Sequence, residues 1–226
     1  MSLLSLLSIT ATSSTIGLFL CGIPICLRIR RDKSTKGTSP APFLVASLSC
    51  ALWLHYGVLR QDQVVILVNA VGLFLQLSYL IFFVLHITVR AEKTRIRRVI
   101  AAEVLFFSVI EYLIKYNAAS DGLSLLGVVC VLLNITNIAA PLFAVGEVIR
   151  NKSSESLPFP LCTANLLVSL QWFAYGYLVN DYVIKTPNSI AICLSIIQLS
   201  LFIIYPSRSP KAYASLTSSV DSLRQI

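Results

Sequence analysis

Seven stretches of this chain are mainly apolar over close to the ~20 residues that a helix needs to cross a hydrocarbon core of about 30 Å. They are Leu6–Leu27, Pro42–Leu59, Val64–Val89, Val99–Lys115, Leu123–Val148, Leu157–Val179 and Tyr182–Tyr205. Their spacing predicts an all-α integral membrane protein of seven transmembrane helices. The polar connections are short, and none could hold a soluble domain. The Ser-rich, polar run 206–226 is expected to be a disordered tail.

Polar and aromatic positions recur inside this pattern. Trp53, Tyr56, Gly57, Asp62 and Asn69 return as Trp172, Tyr175, Gly176, Asp181 and Asn188, each pair 119 residues apart. Arg31/Arg150, Lys33/Lys152 and Ser34/Ser153 keep the same interval. Self-similarity at a fixed interval is the mark of a repeated architecture. Each copy holds three helices, an odd number, so two copies joined directly would face opposite ways across a membrane. The fourth segment matches neither copy and acts as the inverter. The expected architecture is therefore 3+1+3, two parallel repeats related by a pseudo-two-fold axis along the membrane normal. Its divisions are 1–89, the first repeat; 90–121, a basic loop with the inverter; 122–205, the second repeat; and 206–226, the tail.

Composition narrows the class. With 226 residues, 56% hydrophobic and 12% charged, and a mean hydropathy of +0.80, the partner is a lipid bilayer. In a soluble protein a net charge of +8 would point to nucleic acid. Here the charge is bunched between apolar stretches and sets orientation, so no nucleic-acid partner is expected. Arg28, Arg30, Arg31, Lys33 and Lys36 follow the first stretch, Arg90, Lys93, Arg95, Arg97 and Arg98 the third, and Arg150 and Lys152 the fifth. All three groups fall on one face, which puts the N-terminus outside and the tail, with Arg208, Lys211 and Arg224, in the cytoplasm. No Lys or Arg precedes the first apolar run, so a cleaved signal peptide is not expected. The six cysteines lie in apolar runs without metal-ligand spacing and read as packing residues; no metal or cofactor is implied. Asn151-Lys152-Ser153 and Asn134-Ile135-Thr136 fit the glycosylation pattern, but one is cytoplasmic and the other lies within a helix, so neither should carry a glycan.

The repeated residues carry the chemistry. At a rise of about 1.5 Å per residue, Trp53 and Asn69 both lie roughly 10 Å below the outer surface, and Trp172 and Asn188 do the same in the copy. Two indoles and two carboxamides can thus converge near the pseudo-axis. A carboxamide both donates and accepts hydrogen bonds, as a hydroxyl-rich solute requires, and an indole offers a broad apolar face with one N–H. The middle of the six repeat helices holds no Asp, Glu, Lys or Arg, although ionisable groups at that depth mark proton relays and charged substrates. The expected substrate is a neutral polyol, moved without proton or sodium coupling. Pro24, Pro42, Pro141 and Pro158 fall near the inner ends of four helices and read as kinks that close that side. Tyr56, Asp62, Tyr175 and Asp181 read as an outer hydrogen-bonded gate. Pro187 frees a carbonyl ahead of Asn188. Thr163, Asn165 and Ser169 are candidates for further polar lining. Glu111 and Lys115, four residues apart in the inverter, can pair on one face, with a structural or subunit-contact role for them and Glu103. His55 reads as a structural histidine, and His86 lies at the inner interface.

These residues resemble the SWEET (MtN3/saliva) sugar transporters, in an animal-like form. The resemblance rests on Gly22-Ile23-Pro24, Lys33-Ser34-Thr35, Pro42, Trp53 with Tyr56-Gly57, and Asn69 in the first half. In the second it rests on Ala140-Pro141-Leu142, Lys152-Ser153, Leu157-Pro158-Phe159, Trp172 with Tyr175-Gly176, and Pro187-Asn188. SWEETs are themselves a standing example of parallel membrane repeats. The resemblance implies bidirectional facilitated passage of mono- or disaccharides, with Asn69, Asn188, Trp53 and Trp172 as pocket residues. It also implies Pro24, Pro42, Pro141 and Pro158 as an inner tetrad, Tyr56 with Asp181 as the outer gate, and no enzymatic activity. Two bulky indoles lean toward a monosaccharide such as glucose. The resemblance allows homo-oligomers and a plasma-membrane location, with the Golgi membrane as the second. A cargo receptor of the PQ-loop type and a proton-coupled small-solute transporter share the expected fold, but both need charged groups in the cavity.

Overall fold

The computed structural model describes residues 2–116, 119–137 and 139–206; the tail 207–226 lies outside the described residues. Among these there are nine helical segments and no strand: α1 (Leu3–Phe19), α2 (Gly22–Asp32), α3 (Ala41–Arg60), α4 (Gln63–Leu85), α5 (Arg90–Tyr116), α6 (Ala119–Asn137), α7 (Ala139–Asn151), α8 (Phe159–Leu178) and α9 (Tyr182–Ile204). They make seven rods: α1 and α2 are one span interrupted at Leu20–Cys21, and α6 and α7 fall on the one apolar stretch Gly122–Asn151.

Proline chemistry explains the interruption. The stretch Leu6–Leu27, expected as one helix, is interrupted at Leu20–Cys21. Pro24 has no N–H to give the carbonyl of Leu20 four residues back, and its ring would crowd that oxygen. The Leu20 carbonyl accepts from Ile23 N–H instead, at 2.9 Å. Pro141 lies in α7; residue 138, between α6 and α7, lies outside the described residues. Pro42 and Pro158 behave differently from the kinks expected of them. Pro42 is the second residue of α3 and Pro158 is the cap before α8, positions where a missing N–H costs nothing.

Two further expectations are corrected. The segment Arg90–Arg98, read as a loop, forms the first turns of α5. Glu111 pairs across to His55 of α3 rather than with Lys115 along its own helix.

Five rods are long and apolar enough to cross a membrane by length and composition: α1–α2, α3, α4, Gly122–Asn151 and α9. The remaining two are polar for identifiable reasons. Glu103, Glu111 and Lys115 dilute α5, and Gln171, Trp172 and Tyr175 dilute α8. The polar groups of α8 are satisfied from α1: Ser14 Oγ donates to Gln171 Oε1 at 2.6 Å, and Trp172 Nε1–H donates to Thr15 Oγ1 at 2.8 Å.

The packing follows the repeat. In the first unit α4 sits between α1–α2 and α3, and in the second α9 sits between α6–α7 and α8. The units meet through α1 against α8 and α3 against α6, while α5 lies outside against α6 and α3. A cluster of Ile29, Phe43, Leu44, Tyr79, Phe83 and Ile96 binds one end of the first unit, and Val148, Leu157, Cys162 and Leu201 do so in the second. The antiparallel pairs α3/α4 and α8/α9 cross closely over glycine. A Cβ on Gly57 would stand 3.0 Å from the Ile66 backbone nitrogen, and one on Gly176 3.0 Å from Ile184 Cγ2.

Gly57→Val and Gly176→Val should therefore each overpack a helix crossing, at a cost of about 1–3 kcal/mol. This is read as a lower melting temperature of the detergent-solubilised protein. A wild-type melting curve for both variants would mean that the crossings are not tight.

Candidate functional site

The site begins at two corners. After Gly57 the chain leaves α3 through Gln61, whose φ of 57° is left-handed, and the Asp62 N–H returns to the Gly57 carbonyl at 2.9 Å. This six-residue closure is a Schellman cap. The copy repeats it, with Asn180 at φ 53° and the Asp181 N–H on the Gly176 carbonyl at 2.8 Å. Each aspartate then starts the next helix. Asp62 Oδ1 accepts from the N–H groups of Val64 and Val65 at 3.0 and 3.1 Å, and Asp181 Oδ1 from those of Val183 and Ile184 at 2.9 and 3.2 Å.

The same carboxylates join the two repeats. Tyr175 O–H donates to Asp62 at 2.8 Å, and Tyr56 O–H donates to Asp181 at 2.8 Å to Oδ2 and 3.0 Å to Oδ1. Arg60 Nε–H adds a third kind of donor to Asp181 at 3.2 Å. Position 179, which corresponds to Arg60, holds valine, so Asp62 receives no such cation. Asp181 is only 4% exposed, and a carboxylate that far from water persists only when donors and a counter-charge surround it. The four residues expected at the outer gate are thus brought together as two crossed pairs.

Beneath this closed end lies the roof of a cavity. Trp53 meets Tyr56 edge to face with centroids 5.5 Å apart and rings at 78°, and Trp172 meets Tyr175 at 5.5 Å and 77°. Val65, Tyr175 and Ile184 form a buried cluster against both indoles. The cavity below measures about 810 Å³, within the range of small-molecule sites. All six repeat spans contribute to its wall, and α5 contributes none of the lining residues. Trp53, Asn69, Trp172 and Asn188 all line it, and among the described residues no charged side chain does. Each asparagine donates one amide hydrogen to its own helix, Asn69 to the Val65 carbonyl at 2.8 Å and Asn188 to the Ile184 carbonyl at 2.7 Å. The amide oxygen and second hydrogen of each have no protein partner among the described residues. At the far end the cavity is open, with Pro42 on its rim and Phe143 80% exposed.

Not every expected residue arrives. Of the four prolines Pro42 lines the cavity, while Pro24, Pro141 and Pro158 lie off its wall. Pro24 instead stands just past the interruption at Leu20–Cys21, Pro141 lies in α7, and Pro158 caps α8. Thr163, Asn165 and Ser169 are not lining residues; Thr163 bonds back to the Phe159 carbonyl and Ser169 is buried. The polar wall comes from Thr15, Ser49, Asn134, Thr136 and Asn137. A polar run just ahead of Pro141, in an otherwise apolar stretch, was the signal available for the last three.

A family model described as a sugar efflux transporter for intercellular exchange, MtN3_slv, matches residues 5–90 and again residues 124–210. The chain belongs to this SWEET family. The two matches fall on the two three-helix repeats and leave the inverter α5 between them. Sugar transporter SWEET1 of Drosophila pseudoobscura pseudoobscura is 43% identical over 206 residues, covering 90% of each chain. Sugar transporter SWEET1 of Caenorhabditis elegans is 42% identical over 205 residues, 91% of this chain and 67% of its own. The bidirectional sugar transporter N3 of Medicago truncatula is 35% identical over 86% of this chain and 73% of its own. A solved eukaryotic SWEET transporter superposes with a TM-score of 0.82 at 28% identity, over 92% of this chain and 100% of that one. The 3+1+3 architecture is the SWEET fold, the protein is a membrane protein, and its family and relatives are named as transporters rather than enzymes.

If the crossed pairs hold this end of the SWEET bundle shut, Tyr56→Phe and Tyr175→Phe should each loosen it. A hydrogen bond to a charged group contributes about 1.5–3 kcal/mol, roughly ten- to a hundredfold in the population of the opened form. Cys130, 0% exposed and packed on Tyr56, is the reporter. In a chain whose other cysteines are serine, its labelling by a membrane-impermeant thiol reagent from the gate side should accelerate accordingly. Unchanged labelling in both variants would separate these bonds from closure.

Proposed function

We propose that the chain is a bidirectional facilitative sugar transporter, a uniporter that carries neutral mono- or disaccharides, glucose-like ones first, down their gradient by alternating access. The observation that carries this reading is the uncharged cavity walled by two indoles and two half-satisfied carboxamides beneath a roof of inter-repeat hydrogen bonds. Asn69 and Asn188 meet sugar hydroxyls with an acceptor and a donor each, and Trp53 and Trp172 take the C–H faces of the ring. Tyr56 with Asp181 and Tyr175 with Asp62 serve as the outer gate. Pro24 and Pro141 mark the bends about which α2 and α7 swing, and Pro42 and Pro158 stand at the start of the helices they approach when the inner side closes.

The reading includes an orientation. The basic ends of α2 and α7, with the basic start of α5, stay in the cytoplasm, so the gate end is outside and the state described is open inward. The plasma membrane is the proposed location, with the Golgi membrane second, and homo-oligomers are compatible with a pathway enclosed by one chain.

Labelled glucose uptake into proteoliposomes tests the substrate. Each carboxamide replaced loses hydrogen bonds of about 0.5–1.5 kcal/mol, so Asn69→Ala and Asn188→Ala should each lower Vmax/KM by about tenfold. Absence of uptake in the wild type across a sugar panel, or indifference to both substitutions, would remove the assignment. The uniport mechanism has its own measurement: imposing a pH gradient should leave the final distribution of sugar equal on both sides. Accumulation driven by that gradient would overturn it.

A further inference from the structure

The positive charge of the chain is gathered at one place. At the end of the bundle away from the gate, α2 and the turn after it carry Arg28, Arg30, Arg31, Lys33 and Lys36 against Asp32 alone. The first turns of α5 carry Arg90, Lys93, Arg95, Arg97 and Arg98 against Glu92 alone. Together they amount to +8, the net charge of the whole sequence. All ten basic side chains are exposed. The two elements share one rim, because Ile29 of α2 and Ile96 of α5 are buried in the same cluster with Phe43 and Phe83. The turn after α2 also folds back on it: a Cβ on Gly37 would stand 3.4 Å from an Arg28 guanidinium nitrogen.

Neither orientation nor helix stability accounts for so much charge. The corresponding corner of the second repeat, from α7 to α8, makes do with Arg150 and Lys152, and sets them against Glu147 and Glu155. Arg30 and Arg31 stand in the last turn of α2, where the helix dipole favours cations, but Arg90 and Lys93 stand at the start of α5, where it disfavours them. Asp32 engages Arg28 at 3.6 Å and Arg31 at 3.0 Å, and the other eight basic side chains have no acidic partner among the described residues. The rim thus presents cations that the protein itself does not neutralise.

The surroundings say what kind of anion fits. Leu27 directly precedes Arg28, Val89 precedes Arg90 and Val99 follows Arg98, and all three apolar side chains are exposed. Charge and lipid-facing surface are therefore one residue apart on both elements, which suits an amphiphile rather than a free anion. Seven of the ten cations are arginines, whose planar forks match phosphate oxygens. A single phosphodiester occupies one or two such forks, whereas a headgroup with added phosphate monoesters engages groups from both helices.

We propose that this rim binds a multiply phosphorylated phospholipid of the phosphoinositide type, with its phosphates on the basic groups of α2 and α5 and its acyl chains on the apolar surface at Leu27, Val89 and Val99. Basic clusters beside a membrane span attract anionic headgroups in general; the asymmetry between the repeats makes this one a site on the first repeat and the inverter. It lies outside the cavity and does not depend on the transport reading.

Native mass spectrometry of the detergent-solubilised full chain, titrated with dioctanoyl phosphatidylinositol 4,5-bisphosphate, measures the binding. That lipid should bind saturably and about tenfold or more tighter than either dioctanoyl phosphatidylserine or inositol 1,4,5-trisphosphate, which has the phosphates without the chains. Loss of one cation at the headgroup weakens binding about fivefold, so Arg30→Gln and Arg97→Gln should each do so, and the pair together by about 25-fold. Arg30→Lys and Arg97→Lys keep the charge and should lose less. Arg150→Gln with Lys152→Gln removes as much charge from the other repeat and should leave affinity within about twofold. Lys36→Gln and Arg95→Gln carry the same expectation as the first two and replace either if it is not recovered folded. Equal binding of phosphatidylserine would mean diffuse surface attraction, and equal binding of the free trisphosphate a site for a soluble anion; either overturns the proposal. Unchanged affinity in the Arg30/Arg97 double variant, or equal weakening by the Arg150/Lys152 pair, would overturn it as well.

Discussion

The arrangement depends on two aspartates that each serve two masters. Asp62 caps α4 and receives the tyrosine of the other repeat, and Asp181 does the same for α9. A carboxylate drawn out of water needs donors wherever the protein moves. The capping N–H groups belong to the same helix as the aspartate and travel with it, so separating the repeats breaks the tyrosine bonds and the Arg60–Asp181 contact but leaves both caps in place. Neither acid is left bare when the end opens. A gate built from a free-standing buried ion pair would have no such reserve, and breaking it would strand a charge. Arg60 makes the two halves unequal: Asp181, the more deeply buried acid, has a cation beside it, whereas Asp62 relies on its cap and one tyrosine.

The gate and the cavity are mechanically continuous. Each tyrosine that reaches across to an aspartate also supports the edge of an indole, and the first-turn residues Val65 and Ile184, whose N–H groups the aspartates cap, form the roof with those indoles. A displacement of these bonds therefore moves the walls of the cavity. The inverter stands apart. It packs on α3 and α6 and ties His55 to Glu111, yet it lines no part of the cavity, as befits an element whose task is to set the direction of the second repeat.

The duplication made most of this legible in the chain. An interval of 119 residues links Trp53, Tyr56, Asp62 and Asn69 to their copies, and the structure brings all eight to one end of one cavity. What stayed hidden was whatever the interval does not preserve. The break at Leu20 follows from Pro24, and its effect is felt four residues upstream, where nothing in the hydrophobic pattern changes. The helical start of α5 was masked by five basic residues, whose charge says where a segment lies but not whether it is coiled. His55 and Glu111 meet across a helix interface that no local spacing encodes. Asn134 and Asn137 lie upstream of the stretch from Arg150 to Asn188 over which the interval was read, so self-similarity did not point to them.

The left-handed corners at Gln61 and Asn180 join α3 to α4 and α8 to α9 without slack, over crossings where an added methyl group at Gly57 or Gly176 would press on its neighbours at 3.0 Å. Each joined pair is in effect a stiff beam about as long as the bilayer is thick, tied to its twin at one end by the crossed tyrosine–aspartate bonds. In the transport reading proposed above, a load on one end of such a beam is felt at the other, because neither bend has slack to absorb it.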